Sequence, residues 1–78
     1  MNGYKNYATW NVALWLLNTE NLYFKMREFA LSHDTPHYLD FVREAFLAYR
    51  KTGDGVPYLS SELCLEELDA LLMEEKEG

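Results

Sequence analysis

Val12, Ala13, Leu14, Trp15, Leu16 and Leu17 follow one another without a polar residue. Wound into a helix, such a run is apolar on nearly every side, and a helix with no polar face belongs at the centre of its protein. In a chain of 78 residues this leaves few architectures. One domain over residues 1–78 forms around that helix, and the other elements supply its walls.

A chain this short buries only about 60–65% of its unfolded surface, so it is marginal unless its core is rich. Here 49% of the residues are hydrophobic, with two Trp, six Tyr and four Phe. That composition argues against disorder, and large rings supply much apolar area per ordered residue. The single Cys64 has no partner for an internal disulfide, and a lone thiol fits a reducing compartment. No apolar run approaches the roughly 20 residues that span a bilayer, and residues 1–9 lack the apolar stretch of a signal peptide. The expectation is a soluble cytoplasmic protein.

Four helical segments can be placed, giving an all-α bundle. The first follows Thr9 as N-cap and covers residues 10–17. Asn18-Thr19 stops it and caps the second, over residues 20–32, where Leu22, Met26, Phe29 and Ala30 recur at helical spacing. Pro36 suits the first position of a third helix, capped by Asp34 or Thr35 and running over residues 36–51. Its stripe is Tyr38, Val42, Ala45 or Phe46, and Tyr49. Gly53-Asp54-Gly55 is a turn. Val56-Pro57-Tyr58-Leu59 is a short extended stretch that Pro57 confines to an edge. The fourth helix begins between Ser60 and Cys64 and ends near Lys76. It presents Cys64, Leu65, Leu68, Leu71 and Leu72 on one arc. The first helix is expected at the centre, enclosed by the other three.

The block Asn6-Tyr7-Ala8-Thr9-Trp10-Asn11-Val12-Ala13-Leu14-Trp15 resembles the opening of a set of small proteins from phages, plasmids and cyanobacteria. These begin Asn-Tyr-Glu-Thr-Trp-Asn-Val and continue through Leu-Trp. Further on they carry Asn-Asp-Glu-Gly-Leu-Tyr, where this chain has Asn18-Thr19-Glu20-Asn21-Leu22-Tyr23; Ala8 likewise replaces their Glu. The resemblance covers residues 6–23. It implies a mobile-element context and a small helical fold, and it assigns no catalytic residue. Physically, the block reads as a capped helix with two core tryptophans, and Asn6 and Asn11 satisfy nearby backbone groups. The alternative is a ligand pocket lined by Trp10, Asn11 and Trp15.

No constellation marks an enzyme. His33 and His37 are four residues apart, a spacing that presents two imidazoles to one metal on a continuous helix, but Pro36 interrupts it. Cys64 with a histidine lacks any sign of an oxyanion hole, and its place on an apolar arc favours packing. No carboxylate pair is isolated in an apolar setting that would raise one pKa. Phosphate-loop and calcium-loop patterns are absent. The reading is a non-enzymatic protein with no metal or cofactor.

Charge is where the sequence points outward. Up to Ser61, six basic residues balance six acidic ones; beyond it lie seven carboxylates and one cation, Lys76. The net charge of −6 is therefore local. The acids are not interleaved with Lys at i+4, and Glu74, Glu75 and Glu77 sit where a helix dipole disfavours anions. A solvated face is one explanation. The other is a surface for a cationic partner. A helical rise of about 1.5 Å per residue spaces Glu62, Glu66 and Asp69 roughly 5–6 Å apart on one ridge, loosely comparable with phosphates along a strand.

The functional expectation is an inhibitor from a phage or mobile element, of the anti-CRISPR or anti-restriction type. Glu62, Glu66, Glu67, Asp69, Glu74 and Glu75 would occupy the basic surface of a nucleic-acid-binding host complex, without direct contact to nucleic acid or membrane. The alternative is a structural or regulatory module, or a homodimer, binding through an apolar, tyrosine-rich face that includes Tyr4, Tyr7 and Tyr58.

Overall fold

A computed structural model describes residues 3–78. Among them are four α-helices: α1 (Tyr7–Asn18), α2 (Glu20–Leu31), α3 (Tyr38–Glu44) and α4 (Leu65–Glu77). The all-α bundle expected from the sequence is present, but its centre lies elsewhere. α4 packs on α1, α2 and α3 alike, whereas α1 packs mainly on α2 and α4. Leu68, Leu71 and Leu72 drive this arrangement, since all three are buried and each contributes about 1.5–3 kcal/mol of transfer free energy. α1 buries Ala8, Val12, Ala13 and Leu16, but Tyr7 and Leu17 are exposed and both tryptophans are half-buried. A run of apolar residues longer than the available core has left its surplus at the surface.

The N-cap of α1 is Asn6, three residues earlier than expected. Its Oδ1 accepts from the Thr9 backbone N–H at 2.9 Å and from the Thr9 hydroxyl at 2.7 Å. Such a cap is worth about 0.5–2 kcal/mol. Thr9 is thus inside the helix and buried, and its oxygen accepts from the Cys64 N–H at 2.9 Å. Asn6 Nδ2 donates to the Glu62 carbonyl at 2.7 Å. Both motif residues therefore tie the start of α1 to the segment that enters α4. Thr19, in extended conformation, forms the corner between α1 and α2, with no side-chain cap bond.

α3 is half its expected length. The Phe46 N–H bonds the Arg43 carbonyl at 3.2 Å and the Leu47 N–H bonds the Val42 carbonyl at 2.9 Å. This is a Schellman termination with Phe46 in the left-handed position, at φ 59°. Glycine normally takes that position; a bulky residue there costs about 1–2 kcal/mol. The chain then turns away, so Phe41 and Leu47 fill the core while Phe46 is 85% and Tyr49 99% exposed. The expected stripe through Phe46 and Tyr49 fails for that reason. Tyr58, expected at the surface, is buried, and its carbonyl accepts from the buried Tyr38 hydroxyl at 2.7 Å. Burial raises the Tyr38 phenol far above its ordinary pKa, so it stays a donor at any accessible pH.

Between α3 and α4 the chain folds back on itself. Lys51 and Pro57 form an antiparallel bridge, with the Thr52 N–H on the Val56 carbonyl and the Tyr58 N–H on the Arg50 carbonyl. The turn Gly53-Asp54-Gly55 closes it, and Gly55 has φ +91°. Asn11, fully buried on α1, organises this loop. Its Oδ1 accepts from the Thr52 hydroxyl, and its Nδ2 donates to Asp54 Oδ2, both at 2.7 Å. Trp15 Nε1 donates to the same Asp54 oxygen at 2.9 Å.

The Trp15 indole lies flush on Gly53. A Cβ at that residue would overlap ring atoms Cζ2 and Cη2, and the ring cannot retreat without releasing Asp54. Gly53→Ala is expected to destabilise the fold by about 1–3 kcal/mol. Thermal unfolding would register this as a fall in Tm of roughly 4–8 °C per kcal/mol.

Candidate functional site

The carboxylates of the C-terminal segment divide into two groups. Asp69 and Glu67 act inside the fold. Asp69 Oδ1 accepts from the Tyr38 backbone N–H at 2.7 Å, and Oδ2 lies 3.2 Å from His37 Nδ1. A side chain of α4 thereby performs the capping of α3 that was expected from Asp34 or Thr35, since His37 at the N-cap position makes no side-chain cap bond. Glu67 is half-buried, and its Oε1 accepts from the Lys5 backbone N–H at 2.8 Å.

The second group faces water. Glu66, Glu74 and Glu77 are exposed on α4. At 100° per residue all three fall within one arc around Ala70, with Glu66 and Glu74 about 12 Å apart along the axis. Glu62 is also exposed, but it lies in the turn before α4, which starts at Leu65. The even ridge expected through Glu62, Glu66 and Asp69 therefore does not form. Glu75, seven residues beyond Leu68, falls on the docked side of the helix and is half-buried.

Among the described residues no Lys or Arg forms an ion pair with the exposed arc. Among the described residues the ion pairs are His37–Asp69 and Arg43–Asp40. Lys76 is turned away: its Nζ donates to the His33 carbonyl at 2.7 Å and the Ala30 carbonyl at 3.3 Å. There it satisfies the end of α2 and complements that helix's negative pole. The negative field is felt by Tyr4, which lines a shallow depression with Gly3, Glu67, Ala70 and Glu74. Burial pushes its phenol up first, and the Glu74 and Glu67 carboxylates push it further.

The other sequence candidates are engaged in packing. His33 follows α2 and His37 precedes α3, so the two imidazoles share no helix. The His33 ring stacks on Phe29 at 4.1 Å, and its Nδ1 lies 2.8 Å from the Phe29 carbonyl, which requires the proton on that nitrogen. Cys64 occupies the N-cap position of α4. Among the described residues no three His, Cys, Asp or Glu side chains converge as metal ligands would, and no helix is long and apolar enough to cross a membrane. Trp15 and Asn11 serve the Asp54 turn, and Trp10 rests against Tyr7 with ring centroids 5.7 Å apart.

One surface was not anticipated from the sequence. A groove of about 510 Å³ lies between α2 and the end of α3, lined by Lys25, Glu28, Phe29, Phe41, Glu44 and Phe46 among others. Its signal was hidden because residues 45–51 carry a helical pattern that the backbone does not follow.

These features define a small protein with four helices among the described residues and an acidic outer face. The chain belongs to a family of unknown function, DUF7249, whose profile matches residues 1–77. No curated protein and no solved structure matches it.

The division of the carboxylates is measurable. Asp69→Ala removes a helix cap and is expected to cost about 1–2 kcal/mol, whereas Glu66→Gln and Glu74→Gln stay within about 0.5 kcal/mol of wild type in denaturant unfolding. Asp54 contributes to the acid limb of stability. Hydrogen bonds from Trp15, then Asn11, hold its carboxyl below the ordinary value of 3.8. Its contribution is present in full above that value and is lost as pH falls through the lower folded-state pKa. Asp54→Asn should flatten the fall in Tm between about pH 4 and pH 2.

Proposed function

We propose that this chain is a non-enzymatic, protein-binding inhibitor from a phage or other mobile element. In this reading the outer face of α4 occupies a basic surface that otherwise holds nucleic acid, in a host defence complex of the kind met by anti-CRISPR or anti-restriction proteins. The observation that carries it is the disposition of charge around Lys76. The cation of the acidic segment is committed to the carbonyls of α2, while Glu62, Glu66, Glu74 and Glu77 remain exposed without a Lys or Arg partner among the described residues.

Charge left uncompensated at the end of a helix is mildly unfavourable to the fold, so a use outside the fold explains it. Lysines and arginines arrayed for a phosphate backbone supply the complementary field. Glu66 and Glu74 form the centre of the contact, Glu62 and Glu77 extend it, and Glu67 and Asp69 add field while holding the scaffold. Tyr4 supplies a ring beside Glu74 that packs against the stems of such cations. Such a contact forms fast and weakens with salt, since steering acts within a Debye length of about 8–10 Å.

The experiment is capture from lysate of the native host, with mass spectrometry, at about 0.1 M and about 0.5 M salt. A nucleic-acid-processing complex is expected at the lower concentration and should be lost at the higher. Glu66→Lys, Glu74→Lys and Glu77→Lys together should abolish that capture, with Tm changed by only a few degrees because all three side chains are exposed on α4. Capture that survives both the salt and the triple reversal overturns the proposal.

A further inference from the structure

The groove between α2 and α3 has no part in the acidic face. We infer that it is the contact surface of a homodimer in which Phe46 of each copy enters the groove of the other. This does not rest on the function proposed above.

The groove joins a partly apolar floor to a polar rim of Lys25, Glu28, Ser32 and Glu44. Its floor is Phe29 and Phe41, packed edge to face with centroids 5.7 Å apart, together with Ala45. Its volume is about 510 Å³ and it is open to solvent, which leaves room for a phenyl ring to enter. A fitting ring stands at its rim. Phe46 lines the same groove, yet is 85% exposed and held at φ 59°. In a single copy this residue gains little from burial and loses from its backbone conformation. Strain of this kind persists where another contact compensates it. A two-fold axis beside the groove exchanges the rings, so each leaves water and each groove is filled.

The rim is self-complementary in charge as well. α2 contributes Lys25 and Glu28, and α3 contributes Glu44. A surface that carries both signs can face a copy of itself, because an isologous contact sets residue i against j and j against i. Lys25 of one copy then meets Glu44 of the other, twice. An interface of standard size takes roughly 800 Å² from each partner, about a sixth of this chain's 5005 Å² surface. Phe24 and Leu31, both more than half exposed, extend the apolar area beyond the groove. They stand four residues before and three after Glu28, on the same side of α2.

Two copies that each carry −6 repel at long range. Screening relieves that repulsion but also weakens the Lys25–Glu44 pairs, so the dimer should respond to salt far less than a contact with a cationic partner. Sedimentation equilibrium between about 10 and 500 µM protein, at about 0.05 M and 0.5 M salt, should show a reversible dimer at both. Phe46→Gly is the decisive variant. Glycine is the preferred residue at this helix end, so Tm should rise by roughly 4–8 °C while the dimer weakens at least tenfold. Lys25→Glu and Glu44→Lys should each weaken the dimer, and the two together should restore it.

A wild-type chain that stays monomeric at every concentration and salt overturns the inference and leaves the groove to a different protein. A Phe46→Gly variant that dimerises as tightly as wild type overturns it too. Charge reversal at Glu66, Glu74 and Glu77 leaves a dimer through this groove intact, so loss of either surface is read independently of the other.

Discussion

The structure depends on one buried amide. Asn11 sits in the apolar body of α1 with every polar group of its side chain engaged: the carbonyl by Thr52, the amino group by Asp54. A buried amide without partners would cost several kcal/mol, so the loop must return to it. Residues 45–64 contain no helix, and a segment of that length rarely holds a fixed shape by itself. Asn11 supplies its shape from outside. Trp15, one turn further along α1, repeats the contact with Asp54 and lies against Gly53. Asn6 and Thr9, one turn earlier, take the far end of the loop through Glu62 and Cys64. Two faces of α1, Asn11 with Trp15 on one and Asn6 with Thr9 on the other, thus hold a connection that carries almost no structure of its own. The helix expected to be the hydrophobic centre acts also as a polar template, and the leucines of α4 take the central place.

Much of this was legible in the residues, and the misses have definite causes. The second helix and the leucine arc of the fourth were readable because periodicity and burial agree there. The cap of the first helix was misplaced by one turn because both Asn6 and Thr9 are good caps, and the choice rests on the Glu62 carbonyl, distant in sequence. The third helix was overextended for a different reason. Phe46 is the last residue that composition would place in the left-handed region, so nothing local announces the stop. The Asn11–Asp54 contact left a partial trace, an amide inside an apolar run and a Gly-Asp-Gly turn. Pairing those two features needs the tertiary fold. Of the six carboxylates singled out, Glu66 and Glu74 are exposed on α4 and Glu62 in the turn before it, while Glu75 is half-buried on the docked side. Asp69 and Glu67 were drawn inward by backbone N–H groups that no pattern in α4 reveals.

α4 consequently has two kinds of acid. One kind satisfies donors at the ends of neighbouring elements, so its charge is part of the architecture. The other is exposed on the outer arc and has no Lys or Arg partner among the described residues. Lys76 separates the two further by bonding the carbonyls at the end of α2, which leaves the outer arc more negative than the sequence composition suggests. The helix that holds the bundle together is also the one that most strongly polarises its surface.

The bonds from the first helix reach very far along the chain. Asn6 to Glu62 spans 56 residues, Thr9 to Cys64 spans 55, and Asn11 to Asp54 spans 43. During synthesis the amino-terminal half therefore emerges from the ribosome with its amide and hydroxyl groups still waiting for acceptors and donors that have not yet emerged. Topologies dominated by such distant pairings fold more slowly than helical proteins rich in local contacts. Helices α1 and α2 can form early as a hairpin, but the bonds from Asn6, Thr9 and Asn11 can close only once the residues beyond Thr52 have emerged.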